Sequence, residues 1–497
     1  MIPIEIARLL KSLPVADRRQ VESYFNALEV RLALQAEVSL KQKQQIEMLS
    51  ERLDQLEQQL KQNSKNSHKP PSSDGFKKPK RTQSLRKKSD RKPGGQAGHP
   101  GSKLKHSDDI DKFVFHPVHT CQCCGKDLQG VEVLDYVKRQ VFDLPDLSLD
   151  VIEHQAELKQ CSCGAISQGV FPDDVRGEVQ YGPGIRGLAS YLQNYQLLPY
   201  QRSAQLLRDV FDVSISEGTL YNISEQAYDH LEDFEAQLKQ YLIKQDLLHS
   251  DETGMNIGGK THWLHTTSNE QYTHYQVHSK RGYEAMNKIG ILPFFKGTLV
   301  HDCLRSYFRY EQAEHSVCLA HILRELQAQV EQKQDWAEQM LQLILALKKS
   351  KDRAIDQGKT QVSQATIKDY QKQYHQIIQR GNRANPLPPK DYNHPRRRKR
   401  TKAQNLLRRL EEYESEVFRF YADFEVPFDN NLAERDLRMA KVKQKISGCF
   451  RSERGAHYFA RLRSYISSAR KQGLNTLEAL KAIFDPVAEP IFQFDAA

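Results

Sequence analysis

The chain has 497 residues, 27% of them charged, and a formal net charge of +10. Its length exceeds one ordinary core and implies about two to four domains. No run of eighteen apolar residues occurs, and Met1-Ile2-Pro3-Ile4-Glu5 does not read as a basic-then-apolar leader, so neither a membrane span nor a secretory signal is expected, and a soluble intracellular protein is expected.

Residues 1–62 read as helix with a heptad. Its a/d series runs Val21, Phe25, Leu28, Leu32, Gln35, Ser39, Gln42, Ile46, Leu49, Leu53, Leu56, Leu60, with nine of twelve positions apolar and no slip of register. That spacing predicts a coiled coil and hence a homo-oligomer; a helix packed on its own protein gives a similar pattern. Residues 63–107 form a basic arm. Between Asn63 and Lys105 there are thirteen Lys or Arg against two Asp, so this segment holds the whole net charge. Its Pro, Gly and Ser content predicts an arm without fixed structure that neutralises nucleic-acid phosphates, or else a solubilising linker.

Five of the eight cysteines lie between 121 and 163. Cys121-Gln122-Cys123-Cys124-Gly125 and Cys161-Ser162-Cys163-Gly164 are short turns, each followed by Gly. They bracket strand-like alternation such as Val151 to Leu158. In a reducing compartment this clustering suits metal rather than disulfides. Cys121, Cys124, Cys161 and Cys163 are the expected ligands of a structural Zn²⁺ in a module spanning 108–176, with Cys123 as a substitute.

Residues 177–243 look helical. Tyr200 to Phe211 is amphipathic, Asp212-Val213-Ser214 breaks it, and Ser216 is placed to cap a second helix starting near Glu217. The arrangement fits a helix-turn-helix, though any two packed helices resemble one. From 244 to 497 the texture changes. Leu247 to Thr253, Thr261 to Ser268 and Tyr272 to His278 read as an antiparallel meander turning at Gly258-Gly259, and Gly297 to Asp302 as a further strand. Residues 320–350 and 403–422 read as helices, separated by a Pro- and Asn-containing break at 381–395 and the basic run Arg396-Arg397-Arg398-Lys399-Arg400.

Asp251 and Asp302 each end a short apolar strand, and Glu434 lies on a later helix. Hard divalent cations take oxygen ligands and leave positions open for phosphate, so three converging carboxylates suit metal-assisted phosphodiester chemistry. On that helix Glu434, Arg438, Lys441 and Lys445 share one face, opposite Leu437, Met439 and Ala440. Arg435 and Arg438 are the better phosphate contacts, because a guanidinium pairs bidentately with phosphate oxygens. Among 63 acidic residues such a trio also arises without catalysis, and a charged helix is also the ordinary form of a solvated surface.

These segments carry a resemblance. Asp251-Glu252-Thr253, Asp302 after Leu299-Val300-His301, Cys318 to Arg324, and Asn430-Asn431-Leu432-Ala433-Glu434-Arg435 look like the bacterial DDE transposases of the insertion-sequence-66 family. Lys443 to Arg451 and Arg463-Ser464-Tyr465-Ile466 look like it too. The resemblance implies a multidomain α+β protein: a ribonuclease-H-like catalytic core with a helical insertion at about 325–425, beside the coiled coil, the zinc module and a helical DNA-binding domain. It implies Asp251, Asp302 and Glu434 as a triad for Mg²⁺ or Mn²⁺. It further implies double-stranded DNA as partner, as terminal inverted repeats and target, and a bacterial cytoplasmic, nucleoid-associated protein. His321 and Arg324, one turn apart, are accessory candidates, and Arg396, Arg397 and Arg398 are further DNA contacts. A structure-directed nuclease on the same fold and a non-catalytic zinc regulator are the competing readings.

Overall fold

The computed structural model describes residues 14–60, 104–145, 147, 149–387 and 400–494. Most of the basic arm, and Arg396, Arg397 and Arg398, lie outside the described residues. Contacts divide the chain into two compact units, Met1–Lys80 with Leu319–Glu414, and Arg81–Cys318 with Ser415–Ala497.

In chain order, α1 (Val15–Leu60) is one helix of 46 residues. Leu28, Leu32, Ile46, Leu49 and Leu53 of its apolar series are exposed. β1 (Leu158–Gln160) and β2 (Ile166–Gln168) pair antiparallel. The strand expected from Val151 forms only at Leu158. Val151 and Ile152 are exposed, and among the described residues no strand pairs with 151–157 to take up its amides. α2 (Pro183–Ser190) runs into a π turn at Tyr191–Tyr195. α3 (Tyr200–Phe211) ends at Asp212, whose φ of 54° is left-handed. α4 (Glu217–His230) starts where Ser216 Oγ accepts from the Thr219 amide at 3.0 Å, and α5 (Glu232–Ile243) follows.

A five-stranded mixed sheet comes next, built from β3 (Leu247–Ile257), β4 (Lys260–Ser268), β5 (Thr273–His278), β6 (Thr298–His301) and β7 (Glu314–Val317), with α6 (Tyr283–Ile289) between β5 and β6. Its order is β5-β4-β3-β6-β7. The β5-β4-β3 half is antiparallel and the β3-β6-β7 half parallel. The β3–β4 hairpin turns at Gly258-Gly259, with φ of 54° and 79°, which side chains bearing a Cβ adopt only with strain. β7, four residues reading Glu-His-Ser-Val, is too short to show a period and was not expected from sequence.

Then follow α7 (Leu319–Val330), α8 (Asp335–Asp356), α9 (Gln364–Ala384) and α10 (Lys402–Glu412). α9 continues through the break expected at 381. Gly381 lies where a Cβ would strike Leu407 and Trp336, so glycine serves close helix packing there rather than a turn. Trp336, Met340, Leu347, Tyr374, Leu406 and Leu407 are buried in this helical unit, and the Tyr374 hydroxyl donates to the Leu410 carbonyl at 2.8 Å. The chain ends with α11 (Glu414–Ala422), α12 (Asn431–Ser447), α13 (Glu453–Lys471) and α14 (Thr476–Ala482).

Two apolar clusters hold the sheet unit. One joins Leu220, Leu238, Leu248, Phe295, Leu299 and Ile466; the other joins Met255, Leu264, Tyr275 and Val277 to Leu437, Ala440 and Phe459. Each such buried side chain contributes about 2 kcal/mol. Sheet edges are a liability unless their polar groups find partners. At β5 the amides of Thr273 and Tyr275 donate to Ser468 and Ser464 of α13, at 3.1 and 2.8 Å. At β7 the His315 carbonyl accepts from Arg419 Nε at 2.8 Å. Among the described residues no helix is long and apolar enough to cross a membrane. The chain is thus a mixed α/β protein with a mixed sheet, many helices and a long N-terminal helix.

Candidate active site

β3 and β6 run side by side in parallel, with His249 opposite Val300. Two residues further along stand Asp251 and Asp302: Asp302 ends its strand as expected, just past β6, whereas β3 runs on through Asp251 to Ile257 because it stays paired with β4. Ligand oxygens of Asp251, Glu252 and Asp302 all lie within 4.8 Å of one another. Asp251 is half-open as a residue, but its carboxyl is almost wholly enclosed. Burial, and then the carboxylates of Glu252, Asp302 and Glu434, push its pKa well above the usual range. Glu434 of α12 therefore belongs to the same electrostatic neighbourhood.

The position of α12 follows from Asn430, which immediately precedes it and is 1% exposed. Its amide nitrogen donates to the Ser250 carbonyl at 2.8 Å, its amide oxygen accepts from His249 Nδ1 at 2.8 Å, and its backbone N–H reaches Cys318 Sγ at 3.2 Å. The helix start is thereby tied to β3 beside Asp251, one turn before Glu434. Asp436 is held from another side: its carboxylate accepts from Lys471 at 2.9 Å and Thr273 at 3.1 Å. Glu434 sits between these two ties.

Glu252, whose side chain is fully buried, accepts from Arg281 Nε at 2.8 Å and from the Tyr307 hydroxyl at 2.6 Å. Burial and Asp302 raise its pKa, against the pull of Tyr307 and Arg281. Arg281 Nη2 lies 3.9 Å from Asp302 Oδ2, and its guanidinium lies over the Trp263 ring. Behind Asp302 a row of hydrogen bonds has one direction. The Cys303 amide donates to His301 Nδ1 (3.2 Å), and His315 Nε2 meets the Tyr310 carbonyl (3.2 Å), which only accepts. The 3.1 Å bond between the rings then carries its proton on His301 Nε2, and both rings are neutral. Burial and His315 push the His301 pKa well down, in agreement. The row holds Cys303 at a φ of 72°, a conformation costing about 1 kcal/mol or more outside glycine.

Arg435, Arg438 and Lys445 are exposed on α12, whereas Lys441 is half-buried and donates to the Gly254 carbonyl at 2.6 Å. His321 and Arg324 lie on α7 in the other unit, both half-buried. The cysteine segments form two similar turns. Gly125 N donates to Cys121 O and Gly164 N to Cys161 O, at 2.9 and 2.8 Å, and both glycines have positive φ. The Cys124 amide lowers the Cys121 thiol pKa and the Cys163 amide lowers that of Cys161. Among the described residues the four cysteines do not converge to the 4.8 Å spacing of the carboxylates.

Sequence reading assigned no role to Asn430, Arg281, Tyr307 or Glu252. The Asn430-Asn431 doublet was a usable signal for the first. Glu252 was not legible, because consecutive strand residues are expected on opposite faces.

The carboxylate group fits a hard divalent cation. Its donors are all oxygen, and burial, then neighbouring carboxylates, raise the pKa values of Asp251 and Glu252, as expected of anions awaiting a counter-charge. The model of the Transposase IS66 family matches residues 178–458, and that of a family of unknown function, DUF6444, matches residues 19–105. No curated protein matches the chain. The first match covers more than half of the sequence, so the chain belongs to the IS66 family of transposases.

Proposed function

We propose that this transposase works as a DDE enzyme: it binds terminal inverted repeats, cleaves DNA strands at the element's ends and joins the 3′-ends to target DNA. One observation carries the reading. A central strand, its parallel neighbour and a later helix bring Asp251, Asp302 and Glu434 into one electrostatic neighbourhood. Three antiparallel strands continuing into two parallel ones support a ribonuclease-H-like core. Mg²⁺ or Mn²⁺ held by the three carboxylates would activate water or a 3′-hydroxyl and stabilise the departing oxygen. The protein's own part is to hold these oxygens in place through Asn430 and the His301 row, and to offer Arg435, Arg438 and Lys445 to phosphates.

The same reading makes 1–62 an oligomerisation coil, supported by the exposed apolar residues of α1, and 63–107 a DNA-neutralising arm. It makes 108–176 a zinc module, supported by the paired cysteine turns, and 177–243 a helical DNA reader on α3 and α4. The core is 244–497, with an insertion at about 325–425. The test is metal-dependent nicking of a labelled element end by the wild type and by Asp302→Asn. Activity in the wild type alone supports the triad; equal activity rejects it. Pre-cleaved ends incubated with a supercoiled target separate a transposase from a nuclease, since only the former gives strand-transfer product.

A further inference from the structure

Of the three acids that crowd together where mid-β3 passes the end of β6, Glu252 has its two oxygens already engaged, one by Arg281 Nε and the other by the Tyr307 hydroxyl. A carboxylate so used holds a cationic side chain rather than a metal ion. Arg281 itself is 44% exposed at its side chain, so it opens to solvent at the rim of a buried acidic group. Its Nη2, at 3.9 Å from Asp302 Oδ2, is beyond hydrogen-bond length. The guanidinium thus spends its Nε donor on its anchor, and its side chain stays partly open to solvent. Three further features fix it there. The Trp263 ring lies beneath it at 4.9 Å. The loop before it is pinned by buried His265, whose Nε2 donates to the Lys280 carbonyl at 3.2 Å. The Lys280 amide donates to His278 Nδ1 at 3.0 Å.

We propose that Arg281 is a catalytic residue that contacts a non-bridging oxygen of the scissile phosphate, and that Glu252, Tyr307 and Trp263 are its positioning residues. The assignment rests on the metal-dependent reading above. A guanidinium beside a carboxylate-held cation shares the charge that develops on a transferring phosphoryl group, and a prepositioned donor gives most because it does not reorganise during reaction. Glu252 is therefore not counted among the metal ligands.

The full-length chain, loaded with Mn²⁺ and a labelled duplex carrying the element's terminal repeat, provides the test. Arg281→Ala is expected to slow single-turnover nicking at saturating DNA by about 100-fold, the scale of one lost transition-state donor. Its Mn²⁺ affinity, measured by calorimetry, stays that of the wild type. Added guanidinium restores part of the rate to Arg281→Ala and none to Asp302→Asn. Arg281→Lys restores little, since an ammonium lacks the fork that binds anchor and phosphate together. Glu252→Gln slows nicking without loss of Mn²⁺ affinity, and adds nothing to Arg281→Ala when the two are combined. A wild-type rate in Arg281→Ala, or a slow rate with lost Mn²⁺ affinity, overturns the assignment while an inactive Asp302→Asn leaves the metal reading standing. Loss of Mn²⁺ affinity in Glu252→Gln makes Glu252 a ligand and overturns it too. Full activity in Asp302→Asn removes the metal reading and this inference with it.

Discussion

The acidic site on β3 and the cysteine segment belong to the same unit yet are built in opposite ways. Around Asp251 the acidic side chains are set by neighbours far away in sequence: Asn430 on β3, Asp436 on Lys471 and Thr273, Glu252 between Arg281 and Tyr307. Among the described residues between 104 and 179 there are two three-residue strands, and Phe113, Phe115, Val137, Val141 and Val151 are exposed. The first region is organised by the fold itself. The second has local turns but little apolar burial, so apolar packing does little to order it. Dense packing and local turns alone are therefore found side by side within one unit.

The hardest blow to the preorganised region is Asp302→Asn or Asp251→Asn. Each is expected to reduce metal-dependent nicking about 1,000-fold or more, several kcal/mol of transition-state stabilisation, with thermal unfolding little changed. The second region breaks differently. Treatment with a zinc chelator, or Cys121→Ser with Cys161→Ser, should release bound zinc and open residues 104–179 to limited trypsin digestion while the sheet unit resists. Protection unchanged by chelation would show that zinc does not organise the segment.

Acid sharpens the contrast on a buried ion cluster of the folded region. Burial pushes Glu235 up, but the His274 bond and the charges of Lys239 and Arg461 outweigh it and bring its pKa to about 2. A carboxyl depressed in this way adds stability above its unfolded value near 4.5, and that stability is lost as the pH falls from there toward 2. Loss of about 3 kcal/mol across the window is expected, absent in Glu235→Gln, and read by denaturant unfolding at stepped pH. The smallest effect is that of Asn430→Ala. It leaves the Ser250 carbonyl and a His249 nitrogen without this partner and should cost about 2 kcal/mol, with weaker nicking because Glu434 loses its tie.

Much of this architecture was legible in the residues. The Gly258-Gly259 hairpin, the Ser216 cap, the stop at Asp212 and the strand before Asp302 all rest on local chemistry, which a sequence displays directly. What stayed hidden depends on distant partners. Arg281 reads as an ordinary surface cation until β3 brings Glu252 beside it. Lys441 reads as one of a row of cations beside Glu434 until the Gly254 carbonyl is seen to hold its ammonium. Val151 to Leu158 alternates as a strand does, yet alternation alone cannot supply a neighbour. Gly381 resembles a helix end when it is the place where two helices touch.

The far end of α12 has its own tie to the sheet. The Phe450 amide donates to the Asn256 carbonyl at 3.0 Å, and the Gly258 amide donates to the Phe450 carbonyl at 2.9 Å. Helix and strand are thus pinned to each other near both ends. Seventeen helical residues span about 26 Å, and the eight steps from Ser250 to Gly258 also span about 26 Å. The two act as matched rulers. Inserting or deleting one residue within α12 would turn Glu434 by about 100° or tear one fastening loose, so this helix tolerates exchange of side chains far better than any change of length.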